Sequence, residues 1–195
     1  MKITYCLPLI LKKPAGGYKI VFEYANRLVE RGYDVSIVFL TDENYTNTTK
    51  SNIIKKMLGT IELFNYPKWF KLDKRIKKIA TPYLDGRDFP EAEAVFATSL
   101  RTSFIIQNLS YQKGRKFYFI QGFENWSAND DVVFESYKLG LHNIAVSKWL
   151  ENLVKQYDKN VKLIPNAIAT DQFYIERPIE SRNPYIISML YHENP

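Results

Sequence analysis

Gly16 and Gly17 stand between an apolar run, Ile3–Leu7, and a segment with helical spacing, a position where a backbone can meet an anion. Lacking side chains, they let a ligand approach the main chain closely. The free amides of a helix's first turn carry partial positive charge, which favours phosphate. Neither the three spaced glycines of a dinucleotide fingerprint nor the Lys-Ser/Thr ending of a P-loop is present, which argues against nicotinamide dehydrogenases and ATPases. A second group, Gln121, Phe123, Glu124, Asn125 and Trp126, follows the strand-like run Lys116–Gln121. The loop after a central strand is where open α/β sheets bind ligands. One cysteine, Cys6, and two histidines, His142 and His192, are too scattered for a zinc site, and nothing supports a serine hydrolase. Cys6 lies in the first apolar run and reads as a small buried hydrophobe. His142, before an apolar strand, reads as structural, Ser147 as a helix cap, and Asn166 as a turn residue.

These residues need a scaffold, and the order of elements supplies one. After the glycines, Ile20, Val21, Tyr24, Ala25 and Leu28 recur at helical spacing, and Arg31-Gly32 makes a basic last turn with a glycine stop. Asp34–Leu40 is rich in β-branched residues and reads as a strand. A helix-like piece is expected around Ile53–Leu58 and a strand at Ile61–Phe64. Further strands are expected at Ala94–Ala97, Lys116–Gln121, Asn143–Val146 and Val161–Ile164. Helices are expected after Thr98-Ser99, over Asp131–Leu139 and after Ser147. Alternating strands and helices imply parallel pairing, hence a Rossmann-like, doubly wound, mostly parallel α/β sheet. A polar linker, 170–184, precedes a last apolar run, Tyr185–Tyr191. This divides the chain into a domain over 1–169, the linker, and at 185–195 the first strand of a second domain.

Composition narrows the class. With 46% hydrophobic and 25% charged residues, the 195-residue chain reads as an ordinary globular protein. No signal peptide is visible, and no apolar run reaches the ~20 residues of a membrane span, so a cytoplasmic location is expected. The net charge is +6, but between Lys50 and Lys78 nine basic residues face only Glu62 and Asp73, a local net of +7. Within this stretch Lys68, Lys71, Lys74, Arg75 and Lys78 interleave with Trp69, Phe70, Leu72 and Ile76. That pattern suits an interfacial element drawn to anionic lipid, an acceptor bearing phosphate, or a solvated helix face. No nucleic-acid-binding motif accompanies it.

Five segments together resemble the N-terminal domain of retaining GT-B glycosyltransferases of family four. The turn Ala15-Gly16-Gly17 and the helix end LVERGYDVSIV are similar to that family's opening. YFIQGFENW, NIAVSKWLENLV and IPNAIATDQFY follow in the family's order, and YIISMLYHENP looks like the first strand of its donor domain. The resemblance is weakest over 42–90. It implies transfer of a sugar from a nucleotide sugar, as a hexosyltransferase with retention, to a cell-surface glycan or glycolipid at the inner membrane face. No cofactor and no metal are implied, the nucleotide sugar being a substrate. Gly16 and Gly17 match glycines facing the donor diphosphate or the acceptor. Where many relatives carry a histidine, this chain has Gln121, Gly122, Phe123 and Glu124. Glu124 would accept hydrogen bonds from sugar hydroxyls or form an ion pair, and Asn125 and Trp126 would line the acceptor groove. His192 would belong to a donor-domain loop facing the cleft. Catalytic residues are expected beyond Pro195, leaving the isolated chain inactive. A sugar-nucleotide 2-epimerase of the same fold and a non-catalytic carbohydrate- or membrane-binding module remain as alternatives.

Overall fold

In the computed structural model, which describes residues 1–170 and 173–189, the chain alternates strand and helix. The strands are β1 (Lys2–Leu7), β2 (Asp34–Leu40), β3 (Lys77–Thr81), β4 (Ala94–Ala97), β5 (Arg115–Ile120), β6 (His142–Ala145) and β7 (Lys162–Leu163). The helices are α1 (Gly16–Glu30), α2 (Asn52–Phe64), α3 (Leu100–Gln107), α4 (Asp130–Ser136) and α5 (Lys148–Val154). All six strand pairings are parallel, in the order β3-β2-β1-β4-β5-β6-β7. The chain builds outward from β1 to β3, then restarts at β4 on the other side of β1. The carboxyl ends of β1 and β4 therefore flank the switch point, where doubly wound sheets bind ligands.

Strand periodicity explains the two cores. In β1, Ile3, Tyr5 and Leu7 join one apolar cluster and Cys6 the other; in β2, Val35, Ile37 and Phe39 face one side, Val38 and Leu40 the opposite one. Successive side chains of a strand point to opposite faces, so a sheet buried on both sides needs both sets apolar. Helix α1 covers the first face with Val21, Phe22, Ala25 and Val29. Leu100, Ile106, Val133, Leu150 and Val154 of α3, α4 and α5 cover the second. Across the sheet, Tyr5, Phe96, Phe117 and His142 stack at centroid separations of 5.0, 4.7 and 5.0 Å. His142 thus serves as the end of an aromatic row. Cys6 is fully buried, and burial pushes its thiol far up.

Helix starts follow side-chain chemistry. Ser51, Ser99, Asn129 and Ser147 each accept a backbone N–H of the first turn of α2, α3, α4 and α5, satisfying donors that a helix leaves unpaired. Ser99 and Thr102 form a reciprocal capping box. Ser99→Ala is expected to cost about 1 kcal/mol, measured as a lower urea midpoint at unchanged slope. An unaltered midpoint would show that other contacts hold the turn.

Between residues 61 and 78 the expected strand is overturned, and the basic–aromatic stretch is not a helix face. Ile61–Phe64 is the last turn of α2, because the Ser51 cap and a helical contact at Gly59 carry the helix through it. A Cβ on Gly59 would lie 2.8 Å from both Ala80 Cβ and Thr41 Cγ2, so the helix rests its backbone on the sheet there. The basic–aromatic stretch is a loop entering strand β3. Trp69, Phe70 and Leu72 turn inward, with Phe22 5.6 Å from Trp69 and 5.5 Å from Phe70. Aromatic burial outweighs the charge pattern because each ring removes a large area from water. Lys78 turns its ammonium to the carbonyls of Leu63, Phe64 and Tyr66, closing the end of α2. Arg75 pairs with Asp73 at 2.8 Å, and Lys77 with Asp34 at 3.0 Å. Lys68, Lys71 and Lys74 stay exposed.

The expected strand Tyr185–Tyr191 falls partly outside the described residues, as does His192. Residues 185–189 join no strand ladder, and Tyr185, Ile187 and Met189 are exposed. No helix among the described residues is long and apolar enough to cross a membrane.

Candidate functional site

At the carboxyl end of the sheet, three loops meet around the switch point. The loop after β1 delivers Gly16 and Gly17 as the first residues of α1. Unlike the other helices, α1 has no side-chain cap: Ala15 stands at its N-cap and no acid lies in its first turn. Those first amides are therefore open to an incoming acceptor. Nothing lies within 4 Å of where a Cβ on Gly16 would stand, which makes that position an open ledge.

Gln121, the residue after β5, crosses to this ledge. Its side-chain Nε2 donates to the Gly17 carbonyl at 3.2 Å. A Cβ on Gly17 would meet the Gln121 amide at 3.3 Å, so the glycine is what admits the side chain so close. Two residues 104 positions apart are thereby brought into one rim.

Glu124 approaches from the same loop and turns back under α3. Its Oε2 accepts the Leu100 N–H at 3.0 Å, so a carboxylate sits at the start of a helix where the dipole favours it. Burial dominates nonetheless and raises its pKa from 4.5 to about 7, against the lowering effect of the Leu100 hydrogen bond. Near neutral pH this carboxyl is thus divided between a form that only accepts and a form that also donates a hydrogen bond. Of the two expectations for Glu124, a surface ion pair is not what forms: its partner is a backbone amide.

The remainder of the loop divides by burial. Phe123 packs inward, with ring centroids 5.5 Å from Phe134 and 6.5 Å from Trp149, and anchors the loop. Asn125 and Trp126 are exposed, and the Trp126 ring lies across Gly122, where a Cβ would stand 3.3 Å from it. With 72% of its surface open, Trp126 offers a ring face to solvent.

Arg101, which sequence reasoning missed, holds the rim from behind. Its guanidinium donates to the Pro8 carbonyl at 3.0 Å, pairs with Asp42, and reaches Glu43 at 3.3 Å. It ties the loop after β1 to the end of β2. The available signal was a single arginine just after the helix cap Ser99, following a central strand. Ser147 is confirmed in its capping role. Lys68, Lys71, Lys74, Arg75 and Lys78 belong to the loop entering β3 and to that strand, at the far edge of the sheet. No group of three or more metal-ligating side chains gathers among the described residues.

Hollows also lie elsewhere. One of about 1020 Å³ is lined by Ile168, Phe173, Tyr174, Arg182 and Ser188 among others, and one of about 700 Å³ lies at the amino ends of β5 and β6 near Arg115, Phe117 and His142. The rim is preferred as the candidate site because it joins open helix amides, a fixed amide side chain and a perturbed carboxyl at the switch point.

No family model matches this chain, and no curated protein matches it significantly. Among solved structures its fold is similar to that of HepE from Anabaena, crystallised in complex with UDP-glucose. The TM-score is 0.54 at 12% identity, over 88% of this chain and 45% of HepE. The chain thus spans less than half the length of that protein. In strand order, in parallel pairing and in this likeness, the chain has the Rossmann-like, doubly wound α/β fold.

Proposed function

We propose that this chain is the acceptor-side half of a GT-B glycosyltransferase that uses a nucleotide sugar, transferring a hexose with retention to a cell-surface glycan or glycolipid. The observation that carries the reading is the rim itself. Uncapped amides at Gly16 suit a diphosphate. Gln121 and Glu124 offer the short-range hydrogen bonds that sort sugar hydroxyls, and Trp126 offers an apolar face for a sugar ring. HepE lends support as a protein of similar fold that holds UDP-glucose. In this reading the chain binds and orients, while the groups that grip the nucleotide sugar and complete catalysis belong to a second domain.

The test uses UDP-glucose as probe. Added to the chain, it is expected to shift the amide resonances of Gly16, Gly17 and Gln121 to Trp126, with weak, millimolar-range affinity because one wall of the cleft is engaged. Gln121→Ala is expected to weaken binding about tenfold, the worth of one hydrogen bond to a polar or charged ligand group. Shifts confined to other surfaces, or full-rate turnover of UDP-glucose by this chain alone, would refute the assignment.

A further inference from the structure

Helix α2 turns its apolar residues outward. Ile53, Met57, Ile61 and Phe64 are 69%, 60%, 68% and 83% exposed, and positions four, eight and eleven apart fall on one stripe of a helix. The face toward the sheet is built instead from Gly59, Leu63 and Lys55, whose ammonium donates to the Asp42 carbonyl. Close backbone contact at Gly59 leaves no space for a large side chain there. Along the outer stripe, Ile53, Met57 and Ile61 border a shallow groove of about 540 Å³ with Lys56, Thr60 and Tyr83. Four large apolar side chains on a helix of 13 residues make a contiguous patch rather than scattered exposure.

The charges around the stripe choose its occupant. Lys50 precedes the helix and Lys68 follows it, both exposed, and Lys71 and Lys74 continue the same loop. None of the four has a carboxylate partner among the described residues, whereas Lys56 is held by Asp88 at 2.6 Å. On the helix itself the one acid, Glu62, is engaged by the Tyr45 hydroxyl at 2.6 Å. An apolar stripe flanked by cations fits an anionic lipid surface, which accepts apolar side chains below a layer of negative headgroups. A second copy of the chain would bring the same cations against one another, an arrangement that repels.

We propose that α2 is an interfacial helix that docks this domain on anionic bilayers, with Ile53, Met57, Ile61 and Phe64 entering the acyl boundary. Lys50 and Lys68 meet the headgroups, and Lys71 and Lys74 add longer-range attraction. The lipid face is therefore α2, where the chain leaves apolar surface uncovered, and the aromatic residues of the following loop belong to the core. This assignment does not depend on the sugar reading.

The experiment is flotation of the chain with phosphatidylcholine vesicles, with and without phosphatidylglycerol. Binding is expected only with phosphatidylglycerol, falling as salt rises. Met57→Ser/Ile61→Ser/Phe64→Ser and, separately, Lys50→Glu/Lys68→Glu are each expected to weaken it about tenfold or more. Circular dichroism should be unchanged, because every altered side chain is exposed. Lys159→Glu, before the strand at the opposite sheet edge, should retain binding, and Phe64→Trp should show a blue-shifted emission on phosphatidylglycerol vesicles. Absence of binding, equal binding to pure phosphatidylcholine, retention in both multiple variants, or equal loss in Lys159→Glu overturns the proposal. A concentration-dependent dimer dispersed by the triple serine variant overturns it too, making α2 a self-association face.

Discussion

Gly114→Ala is expected to lower the unfolding free energy by about 3 kcal/mol or more. Gly114 ends a short turn before β5 with φ +94° and ψ −175°, a conformation essentially confined to glycine. Space is as restrictive as torsion. An added Cβ would stand 2.5 Å from the Glu93 carbonyl carbon, 2.6 Å from the Ala92 oxygen and 2.7 Å from the Ala94 nitrogen. All three are backbone atoms leading into β4, so no side chain can swing aside to make room. The adjacent Arg115 N–H donates to the Glu93 carbonyl at 3.0 Å, so moving either segment also strains the start of the β4–β5 ladder. Urea titration of the variant should show the loss at unchanged slope. A midpoint equal to that of the parent chain would mean that the turn relaxes freely. Gly140, also at positive φ but with nothing within 4 Å of its Cβ position, is a suitable control. Gly140→Ala should cost much less, about 1 kcal/mol from torsion alone.

Glu124→Gln is expected to flatten the dependence of stability on pH between about 5 and 8. The pKa of Glu124 is raised from 4.5 to about 7 by burial. Below 4.5 the carboxyl is neutral in both folded and unfolded chains and imposes no cost. As pH rises towards 7, the unfolded chain releases the proton first, so the folded state is progressively disfavoured. Above 7 the penalty is complete. The gap corresponds to at most about 3 kcal/mol, and partial solvent access reduces this to about 2 kcal/mol. Glutamine keeps an oxygen for the Leu100 N–H and cannot ionise. The parent chain should therefore lose stability relative to the variant between pH 5 and pH 8, measured by urea unfolding at both. Parallel curves would show that Glu124 is solvated and ordinary. The cost is notable because the ionising group lies at the rim, and carboxyls raised by burial cluster at functional sites.

Much of the scaffold was legible because parallel strands buried on both faces write themselves as continuous apolar runs. Ile3–Leu7, Asp34–Leu40 and Ala94–Ala97 are such runs, and each is a strand paired in parallel, as expected. Ser99 and Ser147 were legible as caps because N-capping is a local event within one turn. The strand at Lys77–Thr81 was hidden by its lysines. An edge strand exposes part of each residue to water, and Lys77 and Lys78 spend their charges on Asp34 and on helix carbonyls rather than on a ligand. Likewise Ile61–Phe64 has a strand-like composition, yet its residues complete a helix whose apolar stripe faces outward.

The amino-acid sequence by itself determined the alternation of elements, the glycines after β1 and the polar loop after β5, since each depends on neighbours a few residues away. Only the tertiary structure decided how these pieces meet. It set the Gln121 amide on the Gly17 carbonyl, turned Glu124 to the amide of Leu100, and brought Arg101 to Pro8 and Asp42. It also decided which basic residues are free and which are engaged, and that Trp69 and Phe70 belong inside while Met57 and Phe64 do not. The physical reason is that burial and hydrogen bonding between distant segments are settled by sheet order. Sheet order depends on which strands pair across long stretches of chain, a choice that local periodicity does not encode.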